Sequence, residues 1–240
     1  MRSHRFYAPI DLTCGNNIEL PKEASHHCVQ VLRYREGALL TLFNGDGFDY
    51  PAEINLIEGK RCSVKILQKV DPQNESPLNI HLYQGVARGE KMDLIIQKSV
   101  ELGISELTPI FTERCNVKLD AKRLAKKQQH WQGVAISACE QSGRAIIPAI
   151  NPAVQLKAIQ PSVSAANYIL EPTASLKIKD CPLPTKVNLF IGPEGGFSES
   201  DLQKFAQVNA QGLQLGPRVL RTETAGLTAI AVFQAQFGDL

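Results

Sequence analysis

The amino-acid sequence predicts an α/β protein in which a small, mainly β part precedes a larger part of alternating strands and helices. Residues 38–70 contain strand-like runs separated by tight-turn signals. Residues 71–77, DPQNESP, are polar and bracketed by prolines, as a linker would be. The remaining chain alternates strand-like with helix-like segments, which favours a mostly parallel sheet covered by helices. We therefore place the domain boundary between residues 72 and 73.

The N-terminal part is predicted to begin with a short helix and to continue as a β-barrel. The helix covers residues 21–37, with Pro21 near its start and Gly37 at its end. The turn sequences NGDG and EGK then separate strand-like segments. These segments lie at residues 38–43, 48–57 and 61–70.

The C-terminal part carries helix-start and helix-stop signals. Gly103 is typical of a helix end, Ser198 and Asp201 fit a capping box, and Thr222 or Thr224 is expected to cap the last helix. Predicted strands lie at 78–87, 106–112, 166–172, 186–192 and 213–216, and predicted helices at 90–103, 120–142, 198–210 and 222–238.

Composition limits the possible classes of protein. The 240 residues are 43% hydrophobic and 21% charged, which is typical of a soluble globular chain. No apolar run approaches the ~20 residues of a membrane helix, and the N-terminus lacks the apolar core of a secretory signal. We therefore expect a cytoplasmic protein. The cysteines are expected to be reduced and mostly buried, because they are scattered without a C-x-x-C pair. His26 and His27 are adjacent without further ligands nearby, so no metal site is expected.

Net charge is only +2, which does not by itself indicate a nucleic-acid-binding protein. The charge is uneven, however, because residues 118–130 hold five cations and one acid. Two interpretations of this segment remain open, a solvated helix face and a face that contacts phosphates.

A glycine-rich turn predicts a ligand site. In residues 190–200, FIGPEGGFSES, a strand ends, the chain turns through three glycines and a helix begins. Free backbone N–H groups converge at such a place. The turn lacks the lysine of a P-loop and the spacing of a dinucleotide fingerprint, and Glu194 would repel phosphates. The ligand is therefore expected to carry little negative charge.

A second unusual stretch, residues 213–226, breaks a strand at Gly216 and places Arg218 and Arg221 around a short apolar bridge. A plain loop with surface arginines is the alternative. A third strand end follows Glu171, and open α/β sheets bind ligands at the carboxyl ends of their strands.

The motifs IGPEGGFS (191–198) and LGPRVLRTETA (215–225) resemble those of the SPOUT methyltransferases, and within them the 16S ribosomal RNA uridine-N3 methyltransferases. Residues 5–7, 26–33, 88–118 and 138–144 are similar to the same family, so the resemblance covers nearly the whole chain. It implies a PUA-like RNA-binding β-barrel at 1–72 and an α/β SPOUT domain with a deep trefoil knot at 73–240. It also implies bound S-adenosylmethionine and a homodimer with its active site at the interface.

The resemblance further implies site residues. Arg221 is expected to stabilise the uridine anion, and Glu194 or Glu140 to act as general base, with a structural role as the alternative for each glutamate. The expected cofactor-binding residues are Leu170, Glu171, Pro172, Ile191, Gly192, Gly195, Gly196, Leu215, Gly216, Leu220, Arg221, Thr224 and Ala225. The expected contacts to 16S ribosomal RNA or the small ribosomal subunit are Arg5, His27, Arg33, Arg88, Lys91 and Arg144.

Three other functions remain possible at this stage. A SPOUT methyltransferase could act on another base or on a ribose 2′-oxygen. A non-catalytic RNA-binding assembly factor would be expected to have damaged cofactor loops, and both loops here match the family pattern. A nucleotide-dependent oxidoreductase would need the dinucleotide fingerprint that this chain lacks.

Overall fold

The computed structural model describes residues 4–117, 120–161 and 164–240, and it divides into two compact units. The N-terminal unit comprises Met1–Glu75 with Cys139–Ile147, and the C-terminal unit comprises Ser76–Ala138 with Pro148–Leu240. The first two residues of the basic segment 118–130 lie outside the described residues. The domain boundary after residue 72 stays a prediction.

The N-terminal unit is built on a five-stranded sheet in the order β1-β3-β4-β5-β2. β1 runs parallel to β3, and the remaining pairs are antiparallel. Buried and exposed side chains alternate along β5, as the two-residue period of a strand requires, so one face encloses the core. The strands are β1 (Arg5–Tyr7), β2 (Asn17–Glu19), β3 (Leu39–Phe43), β4 (Tyr50–Glu58) and β5 (Arg61–Ile66).

The predicted helix at residues 21–37 is shorter than expected. It consists of α1 (Lys22–His26), preceded by Pro21 as N-cap, and one π-helical turn from His27 to Val31. Arg33 adopts a left-handed φ of 53°, which stops the helix well before Gly37. The end signal at Gly37 belongs instead to the turn that leads into β3.

The C-terminal unit contains a parallel sheet in the order β12-β10-β11-β6-β7-β8, with β9 paired to β7. Because the paired strands are parallel, the ends of β6, β10, β11 and β12 meet at one edge of the sheet. The strands are β6 (Asn79–Gly85), β7 (Glu106–Phe111), β8 (Ala149–Ile150), β9 (Val154–Gln155), β10 (Ala166–Leu170), β11 (Lys186–Ile191) and β12 (Gln211–Leu213).

The helices of this part follow the sequence prediction closely, whereas β12 lies two residues earlier than expected. The capping box of α4 is present, since the Ser198 hydroxyl accepts from the Asp201 N–H and the Asp201 carboxylate accepts from the Ser198 N–H. The predicted threonine cap of the last helix is wrong, because Arg221 is its N-cap. The helices are α2 (Lys91–Glu101), α3 (Ala121–Ser142), α4 (Glu199–Gln207) and α5 (Thr222–Phe237), and α3 spans both units.

The cysteines are free thiols, and four of the six are buried, as expected. Burial raises the pKa of Cys28 and of Cys139 to about 12, which keeps both thiols protonated at neutral pH. Within the described residues, no helix combines the length and apolarity needed to cross a bilayer.

Candidate active site

A pocket of about 670 Å³ lies at the carboxyl ends of β10, β11 and β12. Its walls come from the glycine-rich turn after β11, the loop between β12 and α5, and the end of β10. All of the predicted cofactor residues line it except Gly195 and Thr224. Sequence reasoning did not assign Phe197, Leu202, Leu213 and Val219, which add apolar surface to the same walls.

The glycine-rich turn is pressed against the end of β6. A Cβ atom on Gly85 would lie 2.4 Å from the Pro193 nitrogen and 2.8 Å from the carbonyl carbon of Gly192. Gly196 has a φ of 67°, which favours glycine, and its N–H donates to the Pro193 carbonyl over 2.9 Å. A Cβ on Gly195 would lie 2.9 Å from the Arg114 carbonyl oxygen, so Gly195 allows close backbone packing beside the pocket.

The Thr222 hydroxyl joins three elements of the pocket. It donates to the Gly192 carbonyl over 2.6 Å and accepts from Gln84 Nε2 over 2.9 Å. Gln84 is fully buried and Thr222 is 6% exposed. The bonds connect β6, the glycine-rich turn and α5. The sequence signal that could have revealed this network is Gln84, a polar residue among apolar neighbours of a predicted buried strand.

Replacing Thr222 by valine is expected to lower the free energy of unfolding by about 1–3 kcal/mol, because the Gln84 amide and the Gly192 carbonyl lose a buried partner. Urea unfolding measures this loss. Thr222→Ser is the matched control, since serine keeps the hydroxyl, and it should retain most of the stability. No loss in Thr222→Val together with a loss in Thr222→Ser would show that the methyl group, and not the hydrogen bonds, matters at this position.

Comparison with known proteins then identifies the family. An RNA methyltransferase domain matches residues 74–234, and an RNA methyltransferase PUA domain matches residues 20–67. The ribosomal RNA small subunit methyltransferase E of Buchnera aphidicola subsp. Schizaphis graminum is 39% identical, with 100% of this chain and 98% of that protein covered. The chain belongs to this RNA methyltransferase family.

Solved relatives agree in fold over their whole length. A methyltransferase from Legionella pneumophila, solved with bound S-adenosylmethionine, has a TM-score of 0.94 at 42% identity, with 100% of both chains covered. Ribosomal RNA small subunit methyltransferase E from Neisseria gonorrhoeae, also solved with S-adenosylmethionine, has a TM-score of 0.93 at 38% identity, again with 100% of both chains covered. These findings confirm the expected fold class, a PUA-like N-terminal domain followed by a SPOUT α/β domain.

Arg221 stands at the junction of pocket and helix. It lines the pocket, is exposed, and is the N-cap of α5. Arg218 lines the same loop. A guanidinium at this position can donate charge-assisted hydrogen bonds to an anionic oxygen in the pocket. The role of Arg221 in stabilising negative charge on a base stays a prediction.

Glu194 lies in the pocket wall and is held by Lys91 and Arg88. Its Oε1 lies 3.2 Å from Lys91 Nζ and 3.3 Å from the Arg88 backbone nitrogen, and Lys91 Nζ lies 3.5 Å from Glu223 Oε2. Burial raises the pKa of Glu194, but hydrogen bonds from its own N–H, the Arg88 N–H and the Lys91 ammonium outweigh burial and lower it. Because such a carboxylate is a weak base, this arrangement favours the structural alternative for Glu194.

Glu140 lies in the N-terminal unit, outside the residues that line the pocket. Its Oε1 accepts from the Tyr7 N–H over 3.0 Å. Burial raises the pKa of Glu140 and outweighs the lowering effects of the Tyr7 N–H, His27 and Arg5. A raised pKa suits a general base, and the bond to Tyr7 suits the structural alternative, so the role of Glu140 stays a prediction.

Replacing Glu140 by glutamine is expected to stabilise the protein more at neutral pH than in acid. A raised folded pKa means that ionisation costs more in the folded state than in the unfolded state. This penalty is absent below the unfolded pKa of about 4.3 and grows as the pH rises through the folded pKa. Urea unfolding at pH 4 and pH 7.5 measures the difference between variant and parent. A difference that is independent of pH would contradict this account.

The predicted RNA contacts fall into two groups. The Arg5 guanidinium pairs with Asp49, and Arg144, 5% exposed, places Nη2 2.6 Å from Glu75 Oε2, so both hold the N-terminal unit together. The other four predicted contacts are accessible. Lys91 lines the pocket, and His27, Arg33 and Arg88 are exposed. Their contact with RNA stays a prediction.

Proposed function

We propose that this chain uses S-adenosylmethionine to methylate N3 of a uridine in 16S ribosomal RNA of the small ribosomal subunit. The observation that carries the proposal is the pocket, because both C-terminal loops that match the family motifs converge on it. Relatives that cover the whole chain support the substrate, since they are named ribosomal RNA small subunit methyltransferases. The solved relatives with S-adenosylmethionine support the cofactor.

The residues of the pocket fit this cofactor. Its volume of about 670 Å³ lies within the range of small-molecule sites. S-Adenosylmethionine carries no phosphate, so a turn without lysine and with a carboxylate is acceptable. The glycine-rich turn would offer backbone groups to the cofactor, and Leu215 and Leu220 would pack on adenine. The carboxylates of Glu171 and Glu194 line the pocket and would favour a positive sulfonium.

The bound cofactor would supply an electrophilic methyl group, and the protein must supply the nucleophile in a reactive state. Uridine N3 carries a proton at neutral pH, so its anion must be stabilised over the neighbouring carbonyl oxygens. Each pKa unit of stabilisation corresponds to about 1.4 kcal/mol. Arg221 would provide it through charge-assisted hydrogen bonds. Of the two candidate bases, Glu140 is the more suitable, because its pKa is raised. If the active site lies at a homodimer interface, a second copy of the chain could contribute Glu140.

The remaining parts of the proposal follow from the same substrate. The PUA-like domain at residues 1–72 would bind RNA, and the SPOUT domain at residues 73–240 would contain the trefoil knot and the methyl-transfer site. A base in ribosomal RNA must be exposed or flipped out of its stack to enter such a pocket. A cytoplasmic location is part of the proposal, because the proposed substrate is ribosomal RNA.

Mass spectrometry of nucleosides from 16S ribosomal RNA tests the proposal, using cells with and without the gene. N3-Methyluridine should disappear without the gene and return with the intact protein, but not with Arg221→Ala. Persistence of the nucleoside would contradict the proposed reaction. Loss of a different methylated nucleoside would indicate another target atom, and unchanged nucleosides together with impaired subunit assembly would indicate a non-catalytic assembly factor.

A further inference from the structure

The outer face of α3 carries a concentration of positive charge. From residue 121 to residue 139 the sequence contains no acidic residue. The same helix has an inward side, since Trp131 is 2% exposed and Gln128 Nε2 donates to the Ile150 carbonyl. The exposed cations, which we call the α3 basic face, are Lys122, Arg123, Lys126 and Lys127.

This arrangement is unfavourable for an isolated helix. Cations in the first turns oppose the helix dipole, whose N-terminal end is positive. Lys122 repels Lys126 and Arg123 repels Lys127, because residues four apart are neighbours on a helix. Asp120 pairs with Arg123 over 3.4 Å. Across the described part of the chain, Lys122, Lys126 and Lys127 take part in no ion pair, so most of the repulsion is uncompensated.

The α3 basic face belongs to the same unit as the pocket. α3 is tied to α2 by His130, whose Nε2 lies 2.7 Å from Asp93 Oδ2. Lys91, the first residue of α2, lines the pocket. A polyanion on α3 would therefore be bound by the unit that contains the methyl-transfer pocket.

We propose that the α3 basic face binds the phosphate backbone of the RNA substrate without reading its sequence. This inference rests on the proposed function, and it assigns RNA contacts to residues that the family motifs do not include. Lysine and arginine side chains supply such contacts, and each neutralised phosphate releases counterions. An anionic membrane is the less suitable partner, because a membrane-surface helix needs an exposed apolar face and the apolar side of α3 is buried around Trp131.

The test replaces the four cations by glutamine, as K122Q/R123Q/K126Q/K127Q. The matched control removes the same charge from exposed lysines elsewhere in the unit, as K157Q/K177Q/K179Q/K186Q. Binding of 16S ribosomal RNA transcribed in vitro is measured at several salt concentrations. The slope of log K against log salt should become shallower by about 3 in the α3 variant, since each phosphate contact contributes roughly 0.7–0.9. The control should keep the parent slope and affinity.

The α3 variant should also unfold at an unchanged or higher urea concentration, because its like-charge repulsion is relieved. If it fails to fold, K126Q/K127Q gives the same test, with about half the change in slope. The proposal would be overturned if the slope of log K against log salt in the α3 variant equalled that of the parent protein. It would also be overturned if the slope changed equally in the control variant. Loss of binding to anionic phospholipid vesicles without loss of RNA binding would overturn it as well.

Nucleoside analysis separates this inference from the proposed reaction. If the α3 variant shows the expected change in salt dependence but the parent protein makes no N3-methyluridine, the proposed methylation is wrong and the RNA-binding face is supported. If the parent protein makes N3-methyluridine but the α3 variant keeps the parent's salt dependence, the proposed methylation is supported and the RNA-binding face is wrong.

Discussion

Arg221→Ala is expected to lower kcat for RNA methylation by on the order of 10²–10³-fold, the usual cost of removing one preorganised donor to a developing anion. Arg221 lines the pocket at the N-cap of α5, where its guanidinium can face a uracil oxygen. The affinity for S-adenosylmethionine, measured by calorimetry, should change far less than kcat. Single-turnover methylation of 16S ribosomal RNA measures the chemical step.

A pH profile distinguishes this role from a structural one. Without Arg221 the uridine anion forms less readily, so the rate of the variant should continue to rise with pH after the parent has levelled off. Arg221→Lys keeps the charge and loses the planar fork, so it should fall between parent and alanine variant. Arg218→Ala is the control from the same loop. A larger loss of kcat in Arg218→Ala than in Arg221→Ala would show that Arg218, and not Arg221, stabilises the uridine anion.

Gly85→Ala is expected to abolish cofactor binding and to destabilise the fold by about 1–3 kcal/mol, the usual cost of overpacking. The new Cβ would lie 2.4 Å from the Pro193 nitrogen and 2.8 Å from the Gly192 carbonyl carbon. Both are backbone atoms, so the only relief is a shift of the glycine-rich turn away from β6. That shift would displace Gly192 from the pocket. Calorimetry with S-adenosylmethionine and urea unfolding measure the two effects.

Gly133→Ala is the matched control for this variant. Gly133 lies in the interior of α3, and among the described residues a Cβ there would meet no heavy atom within 4 Å. Alanine should therefore stabilise the helix by about 1 kcal/mol and leave cofactor binding unchanged. Normal cofactor affinity in Gly85→Ala would show that the turn tolerates movement and that its contact with β6 does not shape the pocket.

The elements predicted from the sequence were those whose signals are local. The capping box of Ser198 and Asp201 and the helix end near Gly103 depend on neighbours within a few residues, and both occur in the structure. Local signals failed where tertiary contacts compete. Thr222 or Thr224 was expected to cap α5, and the Thr222 hydroxyl bonds instead to Gly192 and Gln84.

By itself the sequence determined the order of most strands and helices, the glycine-rich turn and the loop of Arg221, because periodicity, glycine conformation and capping act over short distances along the chain. The short strands β1, β2, β8 and β9 were not predicted. Only the tertiary structure decided what these parts contact. Gly85 meets Pro193, Tyr7 donates to Glu140, and Arg144 is buried against Glu75. Residues so far apart in sequence leave no periodic signal of their contact. Packing of the folded chain therefore decides that Arg144 is a structural cation and that Gly85 lies against the glycine-rich turn.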